Sequence, residues 1–197
     1  MNTYEVIAED FQQVMELVSV SVDNLIEPLE RAVGLCHEAL IAEKKILCCG
    51  NGAGAAVAQL FSIGLIHRYE QERPALPAVS LCGEGAIQSA IASSSGSEVF
   101  SRQVRAIGQA GDVLLAVAAS DNNAALIQSI RAAHEREMLV ILLSGGDCKD
   151  ISSLMLPEDV EIYVNSSSAP RIIELQTMIV HCLCKLIDNS LFGIYDS

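Results

Sequence analysis

The sequence predicts an α/β protein: a parallel β-sheet covered by helices on both faces, three layers deep, with a pair of helices ahead of it. Three observations carry this. From Lys45 onward, apolar runs of strand length alternate with helical patterns, which specifies parallel strands joined by right-handed crossovers. Two of the runs, DVLLAVAAS (112–120) and MLVILLSGG (138–146), show no polar alternation, as expected of strands buried on both faces. Ahead of Lys45 there is helical spacing and no strand signal.

The elements follow in order. Val6, Ile7, Phe11, Val14, Met15 and Val18 recur at three-to-four spacing and predict an amphipathic helix over 4–20. Leu25, Leu29, Ala32, Val33, Cys36 and Leu40 predict a second over about 24–43, so residues 1–43 read as a helical hairpin. KILCCG (45–50) is the first strand, and AAVAQLFSIGLIHRY (55–69) is helical. PAVSL (77–81) is a strand, SEVFSRQVRAIG (97–108) a helix, and residues 112–120 a strand. Residues 122–137 are helical, 138–146 and 159–165 are strands, and 170–192 form a long last helix with Pro170 suited to its first turn. No repeat, low-complexity tract or linker divides the chain, so 1–197 reads as one domain: helices of self-association over 1–43, and an α/β core with its final helix over 44–197. That final helix is apolar nearly all round, through Ile172, Ile173, Leu175, Met178, Ile179 and Val180 onward. Together with the N-terminal helices it points to a helical interface between copies.

Composition sets bounds on function. The chain has 197 residues, 51% of them hydrophobic, and carries 12 basic against 25 acidic side chains, a net charge of −13. Such a chain builds a core and is not intrinsically disordered. Its charge argues against a surface devoted to nucleic acid, because phosphates are repelled, while leaving it suited to a basic protein. Seven cysteines, an odd number without a CxxC pair or a secretory leader, read as reduced thiols in the cytoplasm. No run approaches the roughly 18 apolar residues of a transmembrane helix.

In an open parallel sheet, ligands collect where strand carboxyl ends meet helix amino ends. Gly50-Asn51-Gly52-Ala53-Gly54-Ala55-Ala56 is such a loop, with neither Rossmann nor P-loop spacing; its glycines serve a ligand or only a tight turn. Ala118-Ala119-Ser120-Asp121-Asn122-Asn123 is the second, able to cap a helix or bind phosphate oxygens, although Asp121 opposes an anion. Ser144-Gly145-Gly146-Asp147 reads as a turn, and Ser93-Ser94-Ser95-Gly96-Ser97 as a polar loop. Of the four histidines, His181 lies inside the apolar last helix with no His, Asp or Glu three or four residues away, which suits a core residue better than a metal ligand. No GxSxG motif or paired carboxylates stand at the loop ends.

The runs ILCCGNG (46–52), RYEQERPALPAVSL (68–81), EVFSRQVRAIGQAGDVLLAV (98–117), LPEDVEIYV (156–164) and CLCKLIDNSLF (182–192) together resemble the sugar isomerase (SIS) domain family over essentially the whole chain. Within it the chain is similar to the phosphoheptose isomerase group, and particularly to the branch of DnaA initiator-associating proteins, DiaA. The resemblance implies a single SIS domain, flavodoxin-like in its α/β/α layers. The family's isomerases use a sugar-phosphate pocket and zinc. Carried over position by position, Leu60 stands where the family has His, Gly64 where it has a catalytic Glu, and Ile173 where it has Gln; His181 alone matches. Gly54 replaces a serine of the glycine loop, Ala92-Ser93 an Asn-Asp pair, and 118–123 the phosphate loop Ser-Thr-Ser-Gly-Asn-Ser.

The resemblance therefore implies a degenerate sugar-phosphate pocket at Asn51, Gly52, Ala53, Ser93, Ser120, Asn122 and Asn123, no catalytic set beyond the remnant His181, and no metal ligand set. No cofactor is expected, and zinc only if the chain is an active isomerase. In the DiaA branch a Leu-Phe pair near the chain end contributes to binding the replication initiator DnaA, and Leu191-Phe192 occupies that place here. Two functions stay open at this point. One is a non-catalytic homotetramer that binds DnaA and promotes chromosome replication initiation, without contacting nucleic acid or membrane directly. The other is a sedoheptulose 7-phosphate isomerase, or a sensor that binds a sugar phosphate without converting it.

Overall fold

A computed structural model describes residues 2–93, 95–119 and 124–193. Five strands form one parallel sheet: Ile46–Gly50 (β1), Ala78–Ser80 (β2), Val113–Val117 (β3), Leu139–Gly145 (β4) and Val160–Val164 (β5), in the spatial order β2-β1-β3-β4-β5. The helices are Thr3–Ile41 (α1), Ala53–Ile66 (α2), Glu84–Ala92 (α3), Val99–Ile107 (α4), Ala124–Glu135 (α5), Lys149–Ser152 (α6) and Ala169–Phe192 (α7). α1, α2 and α7 pack together on one face of the sheet, and α4 and α5 pack together on the other. Every residue of β1 and β3 is buried, which explains the absence of polar alternation in their sequences.

The N-terminal pair of helices is in fact one helix. α1 runs unbroken for 39 residues, roughly 58 Å at 1.5 Å per residue. The chain holds no glycine or proline before Pro28, and Pro28 itself removes only one backbone hydrogen bond. Ser21, Leu25, Ala32, Cys36 and Ala39 are buried, so the stretch that reads as a break lies on a face already committed to the core. The start of α1 is largely exposed, Tyr4, Ile7, Phe11 and Met15 among its residues, before Leu17 and Val18 pack against the core. Two short helices, α3 and α6, add to the predicted elements, and the segment predicted as a helix from Ser97 opens with a 3₁₀ turn at Gly96–Glu98 before α4.

Two buried aspartates tie the strand starts to neighbouring loops. Asp112 accepts bonds from the backbone of Lys45 at 3.0 Å and Gln109 at 2.8 Å, and pairs with the Lys45 ammonium. Asp159 accepts from the backbone of Val140 and Leu156 and meets His134 Nε2, each at 2.8 Å. All their partners are charge-assisted donors of the kind that justify burying a carboxylate.

The strand order reverses between β1 and β3, which places a crevice at the carboxyl ends of those two strands. The amino end of α2 comes so close to the sheet there that side chains are excluded. A Cβ on Gly50 would run into the Gly54 carbonyl, and one on Gly54 would lie 2.8 Å from the Val117 carbonyl oxygen. Both glycines are thus required by packing whether or not a ligand binds. Gly50→Ala is expected to lower stability in chemical denaturation by about 2 kcal/mol, because the obstruction is backbone and cannot rotate away.

Candidate functional site

The crevice at the switch point is a cleft of about 890 Å³, within the roughly 300–1,000 Å³ range of ligand pockets. Asn51, Gly52 and Ala53 line it at the start of α2, where the glycine loop was expected to bind. Ala119, Ala124 and Ala125 line it around the start of α5, and Ala169, Pro170 and Ile173 at the start of α7. Gly96 and Ser97 close the remaining side. Among the described lining residues only Asn51 and Ser97 carry polar side chains, so the walls are largely methyl groups and a pyrrolidine ring. Ser93 is not part of this lining: its hydroxyl donates to the Ser89 and Ala90 carbonyls and lies 2.6 Å from the Ser95 hydroxyl. Ser120, Asn122 and Asn123 fall outside the described residues. The contribution of Gly96 and Ser97 was visible in the sequence only as a polar run.

A second, smaller cavity of about 210 Å³ lies between α2 and α7. Leu60, Ile63 and Gly64 face it from α2, Val180, His181 and Cys184 from α7, and Arg68 and Tyr69 from the loop after α2. His181 Nδ1 lies 3.1 Å from the Tyr69 hydroxyl, and the two rings meet edge-on with centroids 5.4 Å apart. Sequence spacing could not suggest this partner, since Tyr69 comes from a distant loop. Leu60, Gly64 and His181 are thus brought together, while Ile173, two turns earlier on α7, lines the larger cleft.

The donor set does not fit zinc. A leucine, a glycine and an isoleucine offer no ligand atom, and one imidazole is too few for a site that takes three or four. Among the described residues no group of three or more His, Cys, Asp or Glu is placed to hold a metal ion. The buried thiols do not compensate. Burial pushes Cys36, Cys49 and Cys184 up to about 12, so they stay protonated and are poor nucleophiles and ligands. Cys184 also takes up room beside Gly64, where a Cβ would lie 2.8 Å from its Sγ.

The mutual position of α2 and α7 is set by Arg73. Its guanidinium donates to Asp188 Oδ1 at 2.8 Å, to the Gly64 and Leu65 carbonyls at 2.6 and 2.7 Å, and to the Pro74 carbonyl at 3.0 Å. Both side chains of the ion pair are buried, and Asp188 Oδ2 has no partner among the described residues; burial raises the Asp188 carboxyl above its ordinary range, with Arg73 opposing. At the end of α7, Leu191 and Phe192 are half-buried against the core, and the Ser190 hydroxyl lies 3.2 Å from His37 Nδ1 of α1.

Known proteins share this fold. The SIS domain family matches residues 10–145. A phosphoheptose isomerase of Alkalilimnicola ehrlichii is 44% identical over 194 residues, 98% of this chain and 99% of its own length. A DnaA initiator-associating protein DiaA of Photorhabdus laumondii is 40% identical over 187 residues, 94% of this chain and 95% of its own. The structure of a phosphoheptose isomerase from Neisseria gonorrhoeae superposes with a TM-score of 0.90 at 34% identity, covering 95% of this chain and all of that one.

Two outcomes are expected from the geometry of the α2–α7 contact. Arg73→Met should cost about 3 kcal/mol or more in urea unfolding, since it strands a buried carboxylate, and the further change Asp188→Leu should return much of that loss. Thiol titration with Ellman's reagent should modify no more than one cysteine per native chain, Cys182, and all seven in guanidinium, because the other six are buried.

Proposed function

The chain belongs to the SIS domain family, and within that family we propose that it is a non-catalytic binding protein, a cytoplasmic homotetramer that engages the replication initiator DnaA and uses no metal cofactor. The observation that carries this reading is the pairing of Leu60 and Gly64 against His181 in the α2–α7 cavity. Converting a ketose phosphate to an aldose phosphate needs a base to move a proton beside the carbonyl and an acid or metal to polarise it. Gly64 has no side chain to serve as base, and His181 is engaged by the Tyr69 hydroxyl.

Self-association is supported by α1. At 100° per residue, the exposed Tyr4, Ile7, Phe11, Met15, Val22 and Ile26 fall within one stripe about 100° wide. Glu5, Glu9, Glu16, Asp23, Glu27 and Glu30 fall on a separate stripe turned away from it. A second copy covering the apolar stripe leaves the carboxylates in water. Several identical sites on one tetramer would raise the local concentration of a bound partner without tight single contacts. The resemblance to DiaA supplies DnaA as that partner and Leu191-Phe192 as its contact; no helix among the described residues is long and apolar enough to cross a membrane.

A second reading has its own support. The relatives include phosphoheptose isomerases at 44% and 46% identity, which favours an isomerase of sedoheptulose 7-phosphate, and the cleft of about 890 Å³ has room for a sugar phosphate in a sensor. The readings separate when sedoheptulose 7-phosphate turnover and DnaA capture are measured on one preparation. The account predicts no turnover above a no-protein control, with or without added zinc, and retention of DnaA by the immobilised protein. Light scattering should give about four times the 21.0 kDa chain mass. Leu191→Ala with Phe192→Ala should abolish DnaA capture while leaving that mass unchanged; a variant that falls apart into smaller species would make the pair a packing element instead.

A further inference from the structure

The α2–α7 cavity holds no group of three or more metal-ligating side chains among the described residues, yet its lining is not inert. Its walls are the side chains of Leu60, Ile63 and Val180, and its polar groups are Arg68, Tyr69 and His181. Gly64 and Cys184 also line it, close enough that a Cβ on Gly64 would lie 2.8 Å from the Cys184 Sγ. We propose that this cavity binds a short aliphatic carboxylate, its head group held by Arg68 and His181 and its tail laid against Leu60, Ile63 and Val180.

The donors suit a carboxylate. Among the described residues Arg68 pairs with Glu72, one turn on and exposed, and surface pairs of this kind are weak enough to be exchanged for a better-placed anion. A guanidinium holds a carboxylate through two parallel N–H donors. A neutral His181 that accepts the Tyr69 hydroxyl at Nδ1 carries its proton on Nε2 and is a donor there. None of the described lining residues is acidic. The Cys184 thiol is held neutral by burial, with its pKa pushed up to about 12. The Asp188 carboxylate one turn beyond is matched by Arg73, and Glu70 faces Lys185 at 3.6 Å.

The walls and the volume select the tail. About 210 Å³ is below the usual range for a whole cofactor or drug-sized ligand and accommodates a fragment of a few heavy atoms. A hydroxylated chain would set its hydroxyls against leucine, isoleucine and valine, where they find no partner. An alkyl tail would instead remove those apolar surfaces from water. This inference extends the non-catalytic reading, on which it rests in taking His181 to carry no metal.

The test uses sodium butyrate as the probe on the full-length protein, at constant ionic strength, followed by calorimetry and by the imidazole resonances of His181. Butyrate is expected to bind saturably at millimolar concentration and to shift those resonances, while neutral butyramide and inorganic phosphate do neither. Arg68→Met should weaken butyrate at least about tenfold, the scale of one charge-assisted hydrogen bond. Leu60→Asn should also weaken it, with both variants eluting as the wild type does. Butyrate that acts no differently from chloride, or an Arg68→Met variant that binds as the wild type does, would overturn the proposal. So would phosphate binding with the same Arg68 dependence, which would make the cavity part of a sugar-phosphate site. Isomerase turnover is read separately and bears on the non-catalytic reading alone.

Discussion

Arg73 holds three parts of the molecule in one place. Its guanidinium takes up the Gly64 and Leu65 carbonyls near the end of α2, holds the Pro74 carbonyl in the loop that leads to β2, and meets the carboxylate of Asp188 about one turn from the end of α7. A buried cation on this scale is tolerable only because nearly every donor is used, and a buried carboxylate only because the cation is there. The pair fixes the distance between α2 and α7. Everything that can happen between those helices, including the placement of Leu60 and Gly64 against His181, follows from it.

The residues that line the cavities are not the ones that hold this frame. The sheet order opens a crevice at β1 and β3, and three helices start around it. The larger cleft is lined mainly by alanine, glycine, proline and isoleucine, and Leu60 and Gly64 line the smaller one. A scaffold and a site are separable in this way because the scaffold's interactions lie elsewhere: at Asp112 and Asp159 under the strand starts, at Gly50 and Gly54 against the sheet, and at Arg73 and Asp188 between helices. Similarity across the whole chain to phosphoheptose isomerases and to a DiaA protein alike is what such separability produces.

The sheet was legible in the sequence because strands buried on both faces must be continuous apolar runs, and no other element of this length has that pattern. The single α1 was not, because the change in apolar phase near Ser21 looks the same whether a helix ends or merely passes from solvent into the core. The near half of the cleft was legible too, since Asn51 and Gly52 follow a strand that ends in glycine. The interactions that govern α2 and α7 were hidden by separation. Arg73 and Asp188 lie 115 residues apart, and Tyr69 and His181 lie 112 apart. Two of the most specific sequence runs, 68–81 and 182–192, each contain one partner of the ion pair. Nothing within either run shows that they meet.

On the proposed reading, the α2–α7 cavity lacks the base that isomerisation requires. Hydrogen exchange into the substrate reports that step even when no net product forms. Sedoheptulose 7-phosphate would be incubated with the protein in deuterium oxide and its C1 protons followed by NMR. No incorporation of deuterium beyond that of buffer alone is expected. Protein-dependent incorporation at C1, lost on His181→Ala, would contradict it and show that the cavity still moves a proton.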